Sequence, residues 1–160
     1  MEQSIFSEPF RIEVPNYLMA QATRSGTEPE NEVIAFLENW AASRGIKVDQ
    51  ARRFGYDVPV GDEDKAHGKR GYEYLLQVPE HIGGDADVKV ETFPGGKFIA
   101  LKIKDPFADP FDRIPKGWET LVKHIRENGI AVNWCAPKSC LEEVNEESGV
   151  CNMTVMIRLI

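Results

Sequence analysis

Two adjacent carboxylates, Glu142 and Glu143, stand in the segment Cys140-Leu-Glu-Glu-Val, whose apolar flanks mark it as a strand. Neighbouring side chains on a strand point to opposite faces, so one of the two must turn inward. A carboxylate taken out of water is costly unless it is paired, protonated or facing a cationic ligand. The other reading is an edge strand with both carboxylates in solvent. Glu146 and Glu147, just beyond, read as a solvated turn.

Aromatic side chains supply the second ingredient. In Tyr72-Glu-Tyr-Leu-Leu-Gln-Val, alternation puts Tyr72, Tyr74, Leu76 and Val78 on one face. Phe54, Tyr56, Phe93 and Phe98 fall on neighbouring strands, and Trp118 and Trp134 bracket a helix. Aromatic faces attract cations through the ring quadrupole. An aromatic on a strand is ordinarily core, and Trp40 reads that way. Phenols are awkward to bury without a partner, which singles out Tyr56, Tyr72 and Tyr74 as site candidates. Trp118 reads as core with an edge toward the site.

The elements that must position these residues are written twice. Thr27–Gly45 reads as a helix with Val33, Phe36, Leu37, Trp40 and Ala41 in one stripe, a Thr27/Glu30 capping box and a Gly45 stop. A second helix spans about 111–128, with the stripe Ile114, Trp118, Leu121, Val122 and Ile125 and a Gly129 stop. Pro115 and Gly117 in its first turns predict a later true start. A Pro-led strand precedes each helix (Leu18–Thr23, Lys97–Ile103). Two strands follow each: Arg53–Val58 and Tyr72–Val78, then Ser139–Val144 and Met153–Leu159. Corresponding elements are offset by about 80 to 84 positions, close to half the chain. Further strands are expected at Phe10–Val14 and Val88–Phe93, with a turn at Gly83-Gly84-Asp85.

This pattern predicts an α+β fold in one domain, residues 1–160, with pseudo-repeats at about 8–80 and 86–160. The duplicated strand–helix–strand–strand units would form one antiparallel curved sheet, with two helices on one face and a ligand pocket on the other.

Composition narrows the function classes. Hydrophobic residues make up 42% and charged residues 28% of 160, the balance of a folded globular protein. The net charge of −7 argues against a phosphate-binding face and hence against direct nucleic-acid binding. The basic residues Lys65 to Arg70 are neighboured by Asp62, Glu63 and Asp64 and read as a solvated loop. No apolar run reaches the roughly 20 residues of a membrane span. The N-terminus shows no secretory signal, so a cytoplasmic chain without a membrane partner is expected. Cys135, Cys140 and Cys151 lie far in sequence from His67, His81 and His124, and no Cys-x-x-Cys pair occurs. Reduced, unligated thiols, no metal and no cofactor are expected.

Several local patterns, in their order and spacing, resemble the GyrI-like, or AraC-type effector-binding, family across nearly the whole chain. They are Phe54-Gly-Tyr-Asp-Val-Pro59, Tyr72-Glu-Tyr74 leading to Val78-Pro79, Pro94-Gly-Gly-Lys-Phe-Ile-Ala100, Trp118 with Leu121, and Leu141-Glu142. The resemblance implies an SHS2-like doubled fold and a bacterial drug- or metabolite-binding module of the kind used in multidrug recognition and transcription regulation. It implies a pocket in which aromatic side chains and one Glu hold amphipathic, often cationic, molecules. Glu142 matches that Glu because it follows an apolar residue, although the family's Tyr two positions on is here Val144; the alternative register takes Glu143, with Asn145 in the Tyr slot.

By this resemblance the ligand-binding set is Glu142, Glu143, Tyr56, Tyr72, Tyr74, Trp118, Trp134 and Phe98. No helix-turn-helix segment flanks the domain, so the expectation is a stand-alone sensor without a DNA reader, monomeric or homodimeric through an edge strand. Two alternatives come with the resemblance. One is a hydrolase with Glu142 as general base and Tyr56 or Tyr74 polarising the substrate. The other is a protein-interaction module of the gyrase-inhibitor type, acting on a protein partner.

Overall fold

The computed structural model describes residues 4–134, 136 and 138–160. Its strands are β1 (Phe10–Val14), β2 (Tyr17–Gly26), β3 (Arg53–Val58), β4 (Arg70–Gln77), β5 (Lys89–Phe93), β6 (Gly96–Lys104), β7 (Cys140–Glu147) and β8 (Val150–Arg158). Its helices are α1 (Pro29–Ser43), α2 (Asp62–Ala66) and α3 (Pro110–Glu127). The α+β class, the antiparallel pairing and the duplicated strand–helix–strand–strand order are as the sequence predicts. The short exposed helix α2 lies in the charged stretch read as a loop.

The chain divides into two compact units, Met1–Pro15 with Gly95–Ile160 and Asn16–Pro94. In the first, β1 pairs with β6, β6 with β8, and β8 with β7, all antiparallel. In the second, β3 pairs with β4, β4 with β2, and β2 with β5. The leading strand of each sequence repeat therefore joins the other repeat's unit: β1 lies beside β6, and β5 beside β2.

Each unit lays its long helix on one face of its sheet. Under α1 lie Ala20, Ala22, Tyr72, Tyr74, Leu76 and Val78, meeting Val33, Leu37, Trp40 and Ala41. Under α3 lie Ile99, Leu101, Ile103, Met153, Val155 and Ile157, meeting Leu121 and Ile125. Burying each of these larger aliphatic side chains is worth roughly 1.5–3 kcal/mol. Trp40 is core, as expected, at 8% exposure.

Two local expectations are corrected. The Thr27/Glu30 capping box does not form: the N-cap is Glu28, without a side-chain cap. Glu30 instead takes the Arg70 guanidinium in a two-pronged contact at 2.6 and 3.0 Å. The second helix does not start late but runs through Pro115 from Pro110. Pro115 sits past the first turn, so the helix forgoes there the N–H that would have met the Phe111 carbonyl. Gly117 is buried because Ile103 crosses it so closely that a Cβ would collide with the isoleucine.

Candidate functional site

The register of β7 against β8 settles which way the paired carboxylates point. Glu142 lies across from Val155, a residue packed under α3, whereas Glu143 lies across from Thr154 on the opposite face. Glu142 accepts a hydrogen bond from the Trp118 indole Nε1 at 3.4 Å and is half-buried. Glu143 is buried, at 8% exposure. Alternation thus separates the two carboxylates, Glu142 toward Trp118 of α3 and Glu143 on the opposite face.

Around Glu143, the face turned away from α3 carries Leu141, Asn145, Asn152, Thr154, Met156, Phe98 and Ala100 by strand register. Leu141, Phe98, Ala100 and Met156 are fully buried. The Phe98 ring already has a cation on its face, the Arg158 guanidinium 4.6 Å from its centroid. That guanidinium is itself held by the Gly95 carbonyl at 2.9 Å. The result is a carboxylate among apolar walls, flanked by hydroxyl and amide groups.

The tyrosines divide by face. Tyr72 and Tyr74 lie under α1 as parts of its core. The Tyr74 hydroxyl donates to Glu38 Oε1 at 3.1 Å, and burial together with the nearby Glu38 charge pushes its pKa well above the ordinary tyrosine value. The Tyr72 ring lies over Gly55, where a Cβ would collide with it. Tyr56 sits across from Glu73, on the face away from α1. Phe54 stacks on Phe93 on that same face, centroids 5.6 Å apart. Glu73 accepts from Thr23 there at 3.2 Å, and Glu91 from Gln21 at 3.1 Å.

Trp118 belongs to α3 and is half-buried; Trp134 is 51% exposed, beyond the end of that helix. Cys135 lies outside the described residues. Burial raises the thiol pKa of Cys140 and of Cys151, the latter further through Glu146 and Asp105, which keeps both poor nucleophiles. Among the described residues, no three His, Cys, Asp or Glu side chains come together as a metal site. Nor, among them, is any helix long and apolar enough to cross a membrane.

Solved structures place this geometry. The EcmrR–DNA complex matches with a TM-score of 0.72 and 11% identity over 97% of this chain, which spans 57% of that one. The EcmrR C-terminal domain alone matches with a TM-score of 0.66 and 11% identity, over 96% of this chain and 97% of that one. The chain has the fold of the EcmrR C-terminal domain. A hydrolase from Listeria innocua matches with a TM-score of 0.58 and 11% identity, over 96% of this chain and 92% of that one. SAV2435 bound to tetraphenylphosphonium matches with a TM-score of 0.52 and 15% identity, over 95% and 94%. No family model and no curated protein sequence matches.

Sequence reasoning named Asn145 beside Glu143 but missed Asn152 and Thr154. Asn145 was visible two residues along the same strand, and so on the same face. Asn152 and Thr154 become neighbours only through the β7–β8 register.

Proposed function

We propose that this chain is a binding module for amphipathic, cationic small molecules, with Glu143 as the carboxylate that selects the charge. The observation that carries this reading is Glu143 itself: a carboxylate at 8% exposure on the face away from α3, among Phe98, Leu141 and Met156. Apolar walls favour a greasy ligand, and a desolvated carboxylate favours a cation. The fold supports the reading, because SAV2435, which shares it, is described bound to a lipophilic cation. The likeness to EcmrR, which is seen in complex with DNA and part of which this chain spans, supports a role in regulation.

A thermal-shift series tests the proposal. Lipophilic cations should raise the melting temperature with concentration, and neutral analogues of matched shape should not. Equal stabilisation by both classes would remove Glu143 from the site.

A second reading is a hydrolase, supported by the fold shared with the Listeria innocua hydrolase. In it Glu143, rather than Glu142, would serve as the general base. Turnover of an activated ester or epoxide that disappears in Glu143→Gln while affinity persists would favour it over the binder.

A further inference from the structure

Glu143 does not stand alone on its face. Asn145 follows it on β7, Thr154 lies across from it on β8, and Asn152 lies across from Asn145. These four side chains form a rectangle in which facing positions are about 5 Å apart and successive same-face positions about 7 Å apart. The Oδ1 atoms of Asn145 and Asn152 are both shielded from solvent and accept no hydrogen bond. Asn152 as a whole is 6% exposed. Shielded acceptors without a donor are uncommon in folded proteins because each forfeits its hydration. Here two occur side by side, next to a buried carboxylate.

Two lysines flank these acceptors. Lys102, on β6 across from Thr154, sends its ammonium to Glu147 Oε1 at 2.6 Å. The register sets Asn152 on the diagonal between those two residues. Lys102, Lys104, Glu147 and Asn152, with Ser7, line a recess of about 390 Å³. The Lys102 ammonium is thus committed to an ion pair that bridges across Asn152, while Lys104 lies directly across from Asn152 on β6.

We infer that the cation held at Glu143 carries N–H groups of its own, as a primary or secondary ammonium or an amidinium does, and is not a quaternary or phosphonium ion. This rests on the reading of Glu143 as the ligand's carboxylate. A primary ammonium has three donors: one meets the Glu143 carboxylate and two reach the Asn145 and Asn152 oxygens; a secondary ammonium has two, for the carboxylate and one of the oxygens. A permanently alkylated cation neutralises the carboxylate equally well but leaves both amide oxygens bare.

Isothermal titration of the full chain with three probes of one shape decides this: 2-naphthylmethylammonium, its N-trimethyl derivative and neutral 2-naphthylmethanol. The ammonium is expected to bind at least about tenfold more tightly than the trimethyl cation. In Asn145→Leu/Asn152→Leu that preference should shrink to within about twofold while both cations still bind, because the charge contact remains. Equal binding of the two cations to the wild-type chain would overturn the inference and leave Glu143 as a simple charge selector, and this comparison needs no variant. A preference that survives in the double variant would overturn the role of the asparagines. Failure of both cations to bind better than the neutral probe would overturn the cation reading, and this inference with it.

Discussion

Glu142 and Glu143 are consecutive, yet the Glu142 carboxylate accepts the Trp118 indole N–H at 3.4 Å on the α3 side, while Glu143 lies on the other face of β7 across from Thr154. The two can therefore be separated by mutation. Glu143→Gln should weaken lipophilic cations by about 1–3 kcal/mol and leave neutral ligands unchanged. Glu142→Gln should leave cation affinity as it is and alter the tryptophan emission instead. Calorimetry with a matched cation and neutral pair, alongside fluorescence spectra, measures both; equal loss for cation and neutral ligand in Glu143→Gln would remove its charge role.

Tyr74 is placed to hold α1 on its sheet. Its hydroxyl donates to Glu38 at 3.1 Å, and Arg53 also approaches Glu38, at 3.4 Å. Tyr74→Phe leaves the ring packing intact and removes one hydrogen bond to a charged group, so a loss of about 1.5–3 kcal/mol is expected in urea unfolding. Because the native pKa is raised, the native chain keeps the Tyr74 proton after the unfolded chain has released its own. Stability from this group is complete below about pH 10 and falls as the pH climbs above it. Tyr74→Phe should flatten that alkaline limb.

Gly55 allows the Tyr72 ring to lie flat over β3; a methyl group there would collide with the ring and hydroxyl. Gly55→Ala should cost about 1–3 kcal/mol through overpacking. Gly83→Ala, where a Cβ meets nothing nearby, is the matched control and should stay within about 0.5 kcal/mol of wild type.

Asp85 gathers the Trp40 indole N–H at 2.9 Å, the Arg44 guanidinium at 2.9 Å, and the backbone N–H groups of Asp87 and Val88. These hydrogen bonds, the Trp40 one foremost, hold its pKa below the ordinary aspartate value. The contribution is present above that ordinary value and disappears as the pH falls through the lowered native pKa. An acid titration followed by tryptophan fluorescence should show a step below the ordinary aspartate value that Asp85→Asn abolishes.

Much of this was legible in the chain. Arg53–Val58 was readable to the residue, because its β-branched and aromatic alternation is bounded by turn residues. The duplication followed from two helical stripes with glycine stops. The faces of Glu142 and Glu143 were legible only as opposite; which one met α3 depended on the pairing with Val155 and Thr154. The failed Thr27/Glu30 box shows the same limit, since a local motif lost its carboxylate to Arg70, 40 residues away. Asn152 entered the site through register alone.

The exchange of leading strands has a consequence for how the chain is made. Residues 16–94 contain every strand of one unit, so that unit can close as soon as they leave the ribosome. Phe10–Val14 has no partner until Gly96–Ala100 appears, roughly 85 residues later. At about 5–20 residues per second, this strand waits on the order of several seconds as a bare edge. Arg11 and Glu13 alternate with its apolar positions, and charges placed that way discourage pairing with a neighbouring nascent chain. A strand made early is then among the last to be fixed, and trimming it away would leave β6 with one side exposed as a new adhesive edge.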